Sequence, residues 1–162
     1  MRRYLVCSDI HGYFENFISI LSREHDVCAV LVAGDLEMKA AELMRETKNI
    51  PCYVVRGNCD YYRSPDLPDE LVITEGEHKI FLTHGHLYGV PHLKRILHQA
   101  KDKGCDYVVF GHTHQYFEKE EEGIMFLNPG ALKGRREWKT QTYMLIDFND
   151  DGSIDIIKKR LW

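Results

Sequence analysis

The chain has 162 residues, of which 44% are apolar and 28% are charged. This length suits one domain with its own hydrophobic core, so we expect a single domain over residues 1–162. The net charge of −4 leaves no basic surplus, and nucleic acid is therefore not expected as an obligatory partner. No stretch approaches the ~20 apolar residues of a membrane span, and the apolar run near Met1 is far too short for a signal peptide.

The cysteines indicate a reducing environment. Their number is odd, and no Cys-x-x-Cys pair is present among Cys7, Cys28, Cys52, Cys59 and Cys105. Most of them adjoin apolar residues, as reduced core cysteines do, and a disulfide framework is not expected. We therefore expect a cytoplasmic protein with no membrane partner.

Strand-like and helix-like segments alternate in the first part of the chain. Residues 3–8, 27–33 and 52–55 are short apolar runs typical of buried strands. Residues 13–24 and 38–48 carry apolar side chains at helical spacing. The βαβαβ order predicts a parallel sheet with helices packed against it.

The second part of the chain is richer in strands. Residues 70–74 and 79–83 flank a hairpin turn, and residues 91–103 form a predicted helix with a proline near its start. Further strands are predicted at residues 106–110, 116–120, 124–127, 142–148 and 154–159. The pattern predicts an α/β protein: a two-sheet mixed β-sandwich flanked by helices, in four layers ordered αββα.

Polar loops follow five of the predicted strands directly. Five of the nine histidines lie beside glycines in three of these loops, and the other two loops carry an aspartate and an asparagine. The loop motifs are Asp9-x-His11-Gly12, Gly34-Asp35, Gly57-Asn58-Cys59-Asp60, His84-Gly85-His86 and Gly111-His112-Thr113-His114. Ligands of open α/β sheets bind outside the carboxyl ends of the strands, so we expect these loops to meet at one edge.

The side chains in these loops are typical metal ligands. Carboxylate, imidazole and amide groups bind divalent cations such as manganese, iron, nickel or zinc. The seven candidates are Asp9, His11, Asp35, Asn58, His84, His112 and His114. Singly, Asp9 could cap a helix and Asp35 could stabilise a turn. Together they are too many for one structural zinc and suit two ions that share a carboxylate.

The ordered motifs resemble the signature of the calcineurin-like metallophosphoesterases. The Gly-Asn-Cys-Asp form and the predicted turn at Asn128-Pro129-Gly130 are similar to the YfcE-like phosphodiesterase branch of that family. The resemblance extends from Asp9 to Gly130, which is most of the chain. It implies the same two-sheet αββα fold that the strand order predicts.

The resemblance also implies a role for each candidate ligand. One metal is expected at Asp9, His11 and His114, and a second metal at Asn58, His84 and His112. Asp35 is expected to bridge the two ions. The implied cofactors are two divalent ions, manganese first, with nickel, iron and zinc open. Asp35, Asn58 and His84 are then catalytic because they position the metals and the substrate.

The implied reaction is hydrolysis of a small phosphodiester through in-line attack by a metal-bridging hydroxide. Many relatives carry a histidine after the metal-binding asparagine, as an acid for the leaving group. Here the residue is Cys59, and a thiol is a much weaker hydrogen-bond donor. This difference favours diesters over monoesters.

Two other functions remain open at this point. One is a phosphomonoesterase with the same site, and the other is a non-catalytic scaffold resembling the small retromer subunit. The sequence leaves the natural diester open between cyclic nucleotides, other nucleotide diesters and glycerophosphodiesters. It also leaves open whether the protein forms a homo-oligomer.

Several neighbouring residues have two interpretations each. His86 could contact substrate phosphate or pair within its own loop, and Arg135 and Arg136 could bind phosphate or be solvated loop charges. Tyr61 and Tyr62 could line a substrate pocket or belong to the core. Asp60 is expected to fix its own turn, and Thr83 and Thr113 are candidates for orienting the ligands.

Overall fold

The computed structural model describes residues 1–162 and contains ten strands and three α-helices in the predicted order. The helices are α1 (Phe14–Arg23), α2 (Ala40–Glu46) and α3 (Lys94–Asp102). The strands are β1 (Arg2–Cys7), β2 (Val27–Val32), β3 (Cys52–Val54), β4 (Glu70–Glu75), β5 (His78–Thr83), β6 (Tyr107–Val109), β7 (Tyr116–Glu121), β8 (Ile124–Pro129), β9 (Thr142–Phe148) and β10 (Ile154–Arg160).

The strands form two mixed sheets of five strands each. The first sheet has the order β10-β9-β1-β2-β3, and the second has the order β4-β5-β6-β8-β7. In the first sheet β1, β2 and β3 are parallel, and in the second sheet β5, β6 and β8 are parallel. Each sheet therefore has a parallel centre. Helical crossovers connect β1 to β2, β2 to β3 and β5 to β6, whereas β6 and β8 are connected through the edge strand β7.

Three apolar layers hold the sandwich together. Strand β1 alternates between two of them: Leu5 faces the layer that contains Phe17 of α1, and Val6 faces the layer between the sheets. A third layer packs Ile96 of α3 against Phe81 of the second sheet. Side chains that alternate along a strand reach both faces, so each sheet is covered on both sides. The predicted fold class is confirmed.

The structure corrects element boundaries near prolines and helix ends. Helix α3 begins at Lys94, three residues after Pro91, and α2 is shorter than residues 38–48 because Lys39 is extended. The turn predicted at Asn128 is wrong, because β8 continues to Pro129, where it pairs with Tyr116. Proline is tolerated there since it is the last residue of the strand. None of the helices has both the length and the apolar character needed to cross a membrane.

Candidate metal centre

The seven predicted ligands lie at one end of the sandwich. Loops that follow β1, β2 and β3 supply Asp9, His11, Asp35 and Asn58 from the first sheet, and loops after β5 and β6 supply the three histidines of the second sheet. The parallel centres of the two sheets end at the same place, so the loops converge as expected. The structure brings all seven side chains into one cluster.

A first group of ligands contains Asp9, His11 and His114. Asp9 Oδ1 lies 3.4 Å from His11 Nε2 and 3.2 Å from His114 Nε2. The two imidazole Nε2 atoms are themselves 3.2 Å apart. One ligand atom of each residue lies within 4.8 Å of the other two, a spacing at which one ion can contact all three.

A second group contains Asp35, His84 and His112. Asp35 Oδ2 lies 3.2 Å from His84 Nε2, which is 3.3 Å from His112 Nδ1. The side-chain oxygen of Asn58 lies 3.1 Å from the same nitrogen of His112, so the amide joins this group. The pair of groups matches the division of ligands that the family resemblance implies.

Asp35 lies between the two groups. Its Oδ2 atom is 3.2 Å from His84 Nε2 and 3.6 Å from His11 Nε2 of the other group. Its Oδ1 atom accepts a hydrogen bond of 2.9 Å from the backbone N–H of Cys59. One carboxylate oxygen is thus fixed by the protein, and the other faces both groups.

The donor set fits divalent cations. His11 Nδ1 donates to Glu37 Oε1 at 2.6 Å, and His84 Nδ1 donates to the carbonyl of Ala33 at 2.6 Å. In the neutral rings the Nε2 atoms therefore carry lone pairs, and these face carboxylate oxygens. Asp9 Oδ1 is buried and has no hydrogen-bond partner, whereas its Oδ2 accepts from Ser8 and from the His112 N–H. Acceptors that converge in this way make a candidate site for a cation.

The carboxylates of the cluster are in the form that binds metals. Burial opposes ionisation of Asp9, but the adjacent His11 and His114 imidazoles and the positive charge that His84 can carry outweigh it and lower the pKa of the carboxyl. Burial likewise opposes ionisation of Asp35, and the contact with His84 lowers its pKa. The adjacent Asp9 carboxylate raises the pKa of His11 to about 9. Cation binding therefore competes with a proton at this imidazole.

Backbone strain is concentrated in the ligand loops. Five of the seven residues have left-handed backbones, with φ values of 53° at Asp9, 46° at His11, 56° at Asp35, 71° at His112 and 62° at His114. This region costs non-glycine residues energy, and such residues cluster at functional sites where the surrounding structure enforces them. The strain turns each side chain toward the centre of the cluster.

Asp60 joins two of the ligand loops, a wider role than the predicted one of fixing its own turn. The side chain is completely buried. Its Oδ2 accepts from the N–H groups of Asp35 and Gly57 at 2.8 Å each, and its Oδ1 accepts from Leu36 and Glu37 at 2.8 and 3.2 Å. The carboxylate therefore fixes the backbone of Asp35 against the loop that carries the asparagine ligand.

We expect Asp60→Asn to destabilise the protein by about 3 kcal/mol, because the new amide group faces two N–H donors in a buried place. Diester hydrolysis is expected to fall about tenfold or more, since the Asp35 loop moves. Chemical denaturation and steady-state kinetics check both values. The exposed Asp66→Asn change in the same loop serves as the control. Equal stability of the two variants would contradict this role of Asp60.

Sequence patterns did not reveal two supporting residues. Glu37 orients the His11 ring through the 2.6 Å contact, and the Ser8 hydroxyl donates to Asp9 Oδ2 at 2.7 Å. Partners of this kind fix the tautomer and direction of a ligand. The Glu37 contact joins residues 26 positions apart, so only the folded chain shows it.

The remaining candidates are placed as follows. His86 pairs with the Tyr61 hydroxyl at 3.0 Å instead of a backbone group. Thr113 accepts from Asn128 and so supports the histidine loop, whereas Thr83 donates to the carbonyl of Asp69.

The two arginines are exposed, in a loop whose Lys133 N–H bonds the Asp9 carbonyl at 2.9 Å. The Arg136 guanidinium lies over the Trp162 ring, 5.6 Å from its centroid. Neither Arg135 nor Arg136 makes a side-chain hydrogen bond to a ligand residue in this structure.

Cys59 lies at the rim of the cluster. Its backbone is bonded to Asp35, and its Sγ lies within 4.8 Å of ligand atoms of His11 and Glu37. Burial and the neighbouring Asp35 carboxylate raise the pKa of the thiol to about 12. The group is therefore a neutral thiol at pH 7 and a weak hydrogen-bond donor.

Comparison with known proteins places this cluster in a family. Residues 2–151 match the family model of the calcineurin-like phosphoesterase superfamily domain. The probable metallophosphoesterase YsnB of Bacillus subtilis is 34% identical over 151 residues, which cover 92% of this chain and 86% of that protein. The phosphodiesterase YfcE of Escherichia coli strain K12 is 26% identical over 170 residues, covering 91% of this chain and 88% of YfcE.

Solved structures support the same assignment. A predicted phosphoesterase from Streptococcus pneumoniae superposes with a TM-score of 0.78 at 26% identity, over 98% of this chain and 97% of the other. Vacuolar Protein Sorting 29 from Cryptosporidium parvum, at 23% identity and a TM-score of 0.73 over 98% and 97% of the two chains, shows the same fold. The chain belongs to the calcineurin-like phosphoesterase superfamily, as its ordered histidine and aspartate motifs predict.

Proposed function

We propose that the protein is a binuclear metal-dependent phosphodiesterase that hydrolyses small phosphodiesters. The observation that carries this proposal is the position of Asp35, whose Oδ2 lies within 3.6 Å of ligand nitrogens from both groups. A carboxylate shared in this way suits two cations better than one. The superfamily and the phosphodiesterase YfcE, 26% identical, support the reaction class.

The chain's residues divide the work of holding two cations. Asp9, His11 and His114 would hold one, Asn58, His84 and His112 the other, and Asp35 would contact both. When bound, two such cations lower the pKa of a coordinated water and neutralise charge on the phosphate. Manganese is the proposed ion, with nickel, iron and zinc as alternatives that this mixed nitrogen and oxygen donor set also accepts.

The protein itself supplies orientation. Glu37 and the carbonyl of Ala33 each accept a hydrogen bond from one ring nitrogen of a predicted ligand histidine, so the opposite nitrogen faces the centre. Asn58 brings a neutral oxygen, so Asp35 is the one carboxylate among the residues of the second group. Burial of Asp9 and His84 excludes water from the floor of the site, and electrostatic interactions there are correspondingly stronger.

A direct test is hydrolysis of bis(p-nitrophenyl) phosphate with added Mn²⁺ or Ni²⁺. We expect His84→Ala to lower kcat/KM by about 100-fold or more, because a ligand to one cation is lost. His98→Ala is the matched control, since His98 lies on the surface of α3 with its side chain 73% exposed. Equal activity in wild type and His84→Ala would contradict the proposal.

The residue at position 59 bears on the preference for diesters. Hydrolysis of a monoester dianion releases an alkoxide, which is a poor leaving group unless a strong acid protonates its oxygen. A thiol is a poor proton donor for this step. We expect Cys59→His to raise the ratio of monoesterase to diesterase kcat/KM by about tenfold, less than the roughly 100-fold or more that a well-placed general acid contributes. Assays with an alkyl phosphate monoester and the matching dialkyl phosphate, whose alkoxide leaving groups need a proton, measure this ratio. An unchanged ratio would show that Cys59 does not set the preference.

The scaffold alternative predicts a protein without bound cations, whereas the proposed function predicts two bound cations. The fold similarity to Vacuolar Protein Sorting 29 is compatible with it, but the complete set of convergent ligands supports catalysis. We expect elemental analysis after reconstitution to find close to two divalent ions per chain.

A cytoplasmic location is part of the proposal and is supported by five cysteines that are all unpaired in the structure.

A further inference from the structure

The loop that carries Asn58 also carries a tyrosine on a fixed backbone. Tyr61 directly follows Asp60, whose buried carboxylate accepts four backbone hydrogen bonds. The Asp60 N–H bonds the carbonyl of Gly57 at 3.1 Å, and the Ser64 N–H bonds the carbonyl of Asp60 at 3.0 Å. The loop around Tyr61 is therefore held at both ends.

The ring of Tyr61 is fixed as well as exposed. Its hydroxyl lies 3.0 Å from His86 Nε2, and the Arg56 guanidinium lies over one ring face, 4.4 Å from the centroid. Arg56 is anchored in turn by Asp69 at 2.9 Å and by the carbonyl of Pro65 at 3.0 Å. Yet 47% of Tyr61 is exposed. Since Arg56 lies over one face and His86 meets the hydroxyl and ring edge, the opposite face is the part of the ring left to account for this exposure.

This open face is adjacent to the metal centre. The His86 ring lies 6.2 Å from the Tyr61 ring, 5.4 Å from the His84 ring and 6.3 Å from the His112 ring, measured between centroids. One imidazole thus separates Tyr61 from the second group of ligands. A sugar unit attached to a phosphate at that group spans such a gap.

We infer that Tyr61, backed by Arg56, is a stacking platform for the base of a nucleotide diester. Because the ring is already immobilised, it loses little conformational entropy when a ligand binds. Nucleic-acid bases stack on such aromatic faces with little dependence on which base is present. The guanidinium beneath the ring adds cation–π attraction and a positive charge beside an anionic substrate. A glycerophosphodiester has no planar group to occupy this face. This inference rests on the proposed function and names its substrate class.

The test compares two diesters that share a p-nitrophenolate leaving group: thymidine 5′-p-nitrophenyl phosphate and methyl p-nitrophenyl phosphate. We expect Tyr61→Ala to lower kcat/KM for the thymidine diester about tenfold, the loss of one base–aromatic stack, and to leave the methyl diester within about twofold. Tyr61→Phe retains the face and is expected to stay close to wild type on both. Tyr62→Ala is the matched control, because Tyr62 is the next residue and 93% exposed.

A binding measurement separates this inference from the proposed reaction. By calorimetry, we expect Tyr61→Ala to weaken binding of thymidine 5′-monophosphate about tenfold and to leave inorganic phosphate binding unchanged. If neither wild type nor any variant hydrolyses either diester, the proposed function fails. The affinities of wild type and Tyr61→Ala for thymidine 5′-monophosphate then decide whether Tyr61 is a stacking platform. If wild type and Tyr61→Ala discriminate equally between the two diesters and bind the nucleotide equally, the platform is overturned and the phosphodiesterase stands.

Discussion

Asp35→Asn is expected to lower diester kcat/KM by at least about 100-fold and to reduce the bound metal to one ion per chain or fewer. The substitution keeps the shape of the side chain and removes the charge that faces both ligand groups. The oxygen that accepts from the Cys59 N–H at 2.9 Å can be retained. The new amide nitrogen can donate to His84 Nε2, which is 3.2 Å from Asp35 Oδ2. Without metal, we therefore expect the free energy of unfolding to change by less than about 1 kcal/mol.

The control for this variant is Asp106→Asn. Asp106 also contacts a histidine, His78, at 2.7 Å, but none of the seven ligands is involved. We expect Asp106→Asn to retain full metal content and activity within about twofold. Kinetics with elemental analysis, and urea denaturation in the presence of a chelator, provide the measurements. More than a tenth of wild-type activity in Asp35→Asn would refute the bridging role.

Gly57→Ala is expected to have the second largest effect. A methyl group at this position would come within 2.5 Å of the Asp35 backbone nitrogen and closer still to Asp35 Oδ1. Neither atom belongs to the flexible end of a long side chain, so the loops must separate. We expect a loss of about 3 kcal/mol in the free energy of unfolding. We also expect a fall of about 100-fold in kcat/KM, because a displacement near 1 Å misaligns the ligands.

Gly104→Ala separates crowding from general backbone strain. Gly104 has a left-handed backbone at φ 67°, and nothing lies within 4 Å of a methyl group added there. We expect this control to cost about 1 kcal/mol through backbone strain alone and to keep full activity at low temperature. If Gly57→Ala and Gly104→Ala show the same free energy of unfolding and the same kcat/KM, the close approach of Gly57 to Asp35 has no functional importance.

The fold could be predicted from periodicity because each sheet buries both faces. Apolar runs at β1, β2 and β9 are continuous, and the helices carry one apolar stripe, so element types were clear from local sequence. The ends were less clear. Lys39 is extended instead of helical, and β8 continues to Pro129. Such ends depend on pairing partners and capping geometry that distant residues decide.

The candidate ligands were also visible in the sequence, because each follows a strand and a parallel sheet brings strand ends together. Their supporting contacts were not visible. Asp60 bonds the Asp35 N–H across 25 positions, and Tyr61 reaches His86 across 25 positions. No local pattern marks either pair, since the partners belong to different loops.

Both sheets of the sandwich supply predicted ligands to the cluster, and each sheet also supports ligands of the other. The His112 N–H bonds Asp9 Oδ2 at 3.0 Å, and His84 Nδ1 bonds the carbonyl of Ala33 at 2.6 Å, so each sheet completes the other's ligands. A cation held there fastens one sheet to the other. If a cation is bound by residues of both sheets, separating the sheets would first require breaking metal–ligand bonds. We expect a bound cation to cross-link the two sheets, so that release of the metal reports directly on their separation.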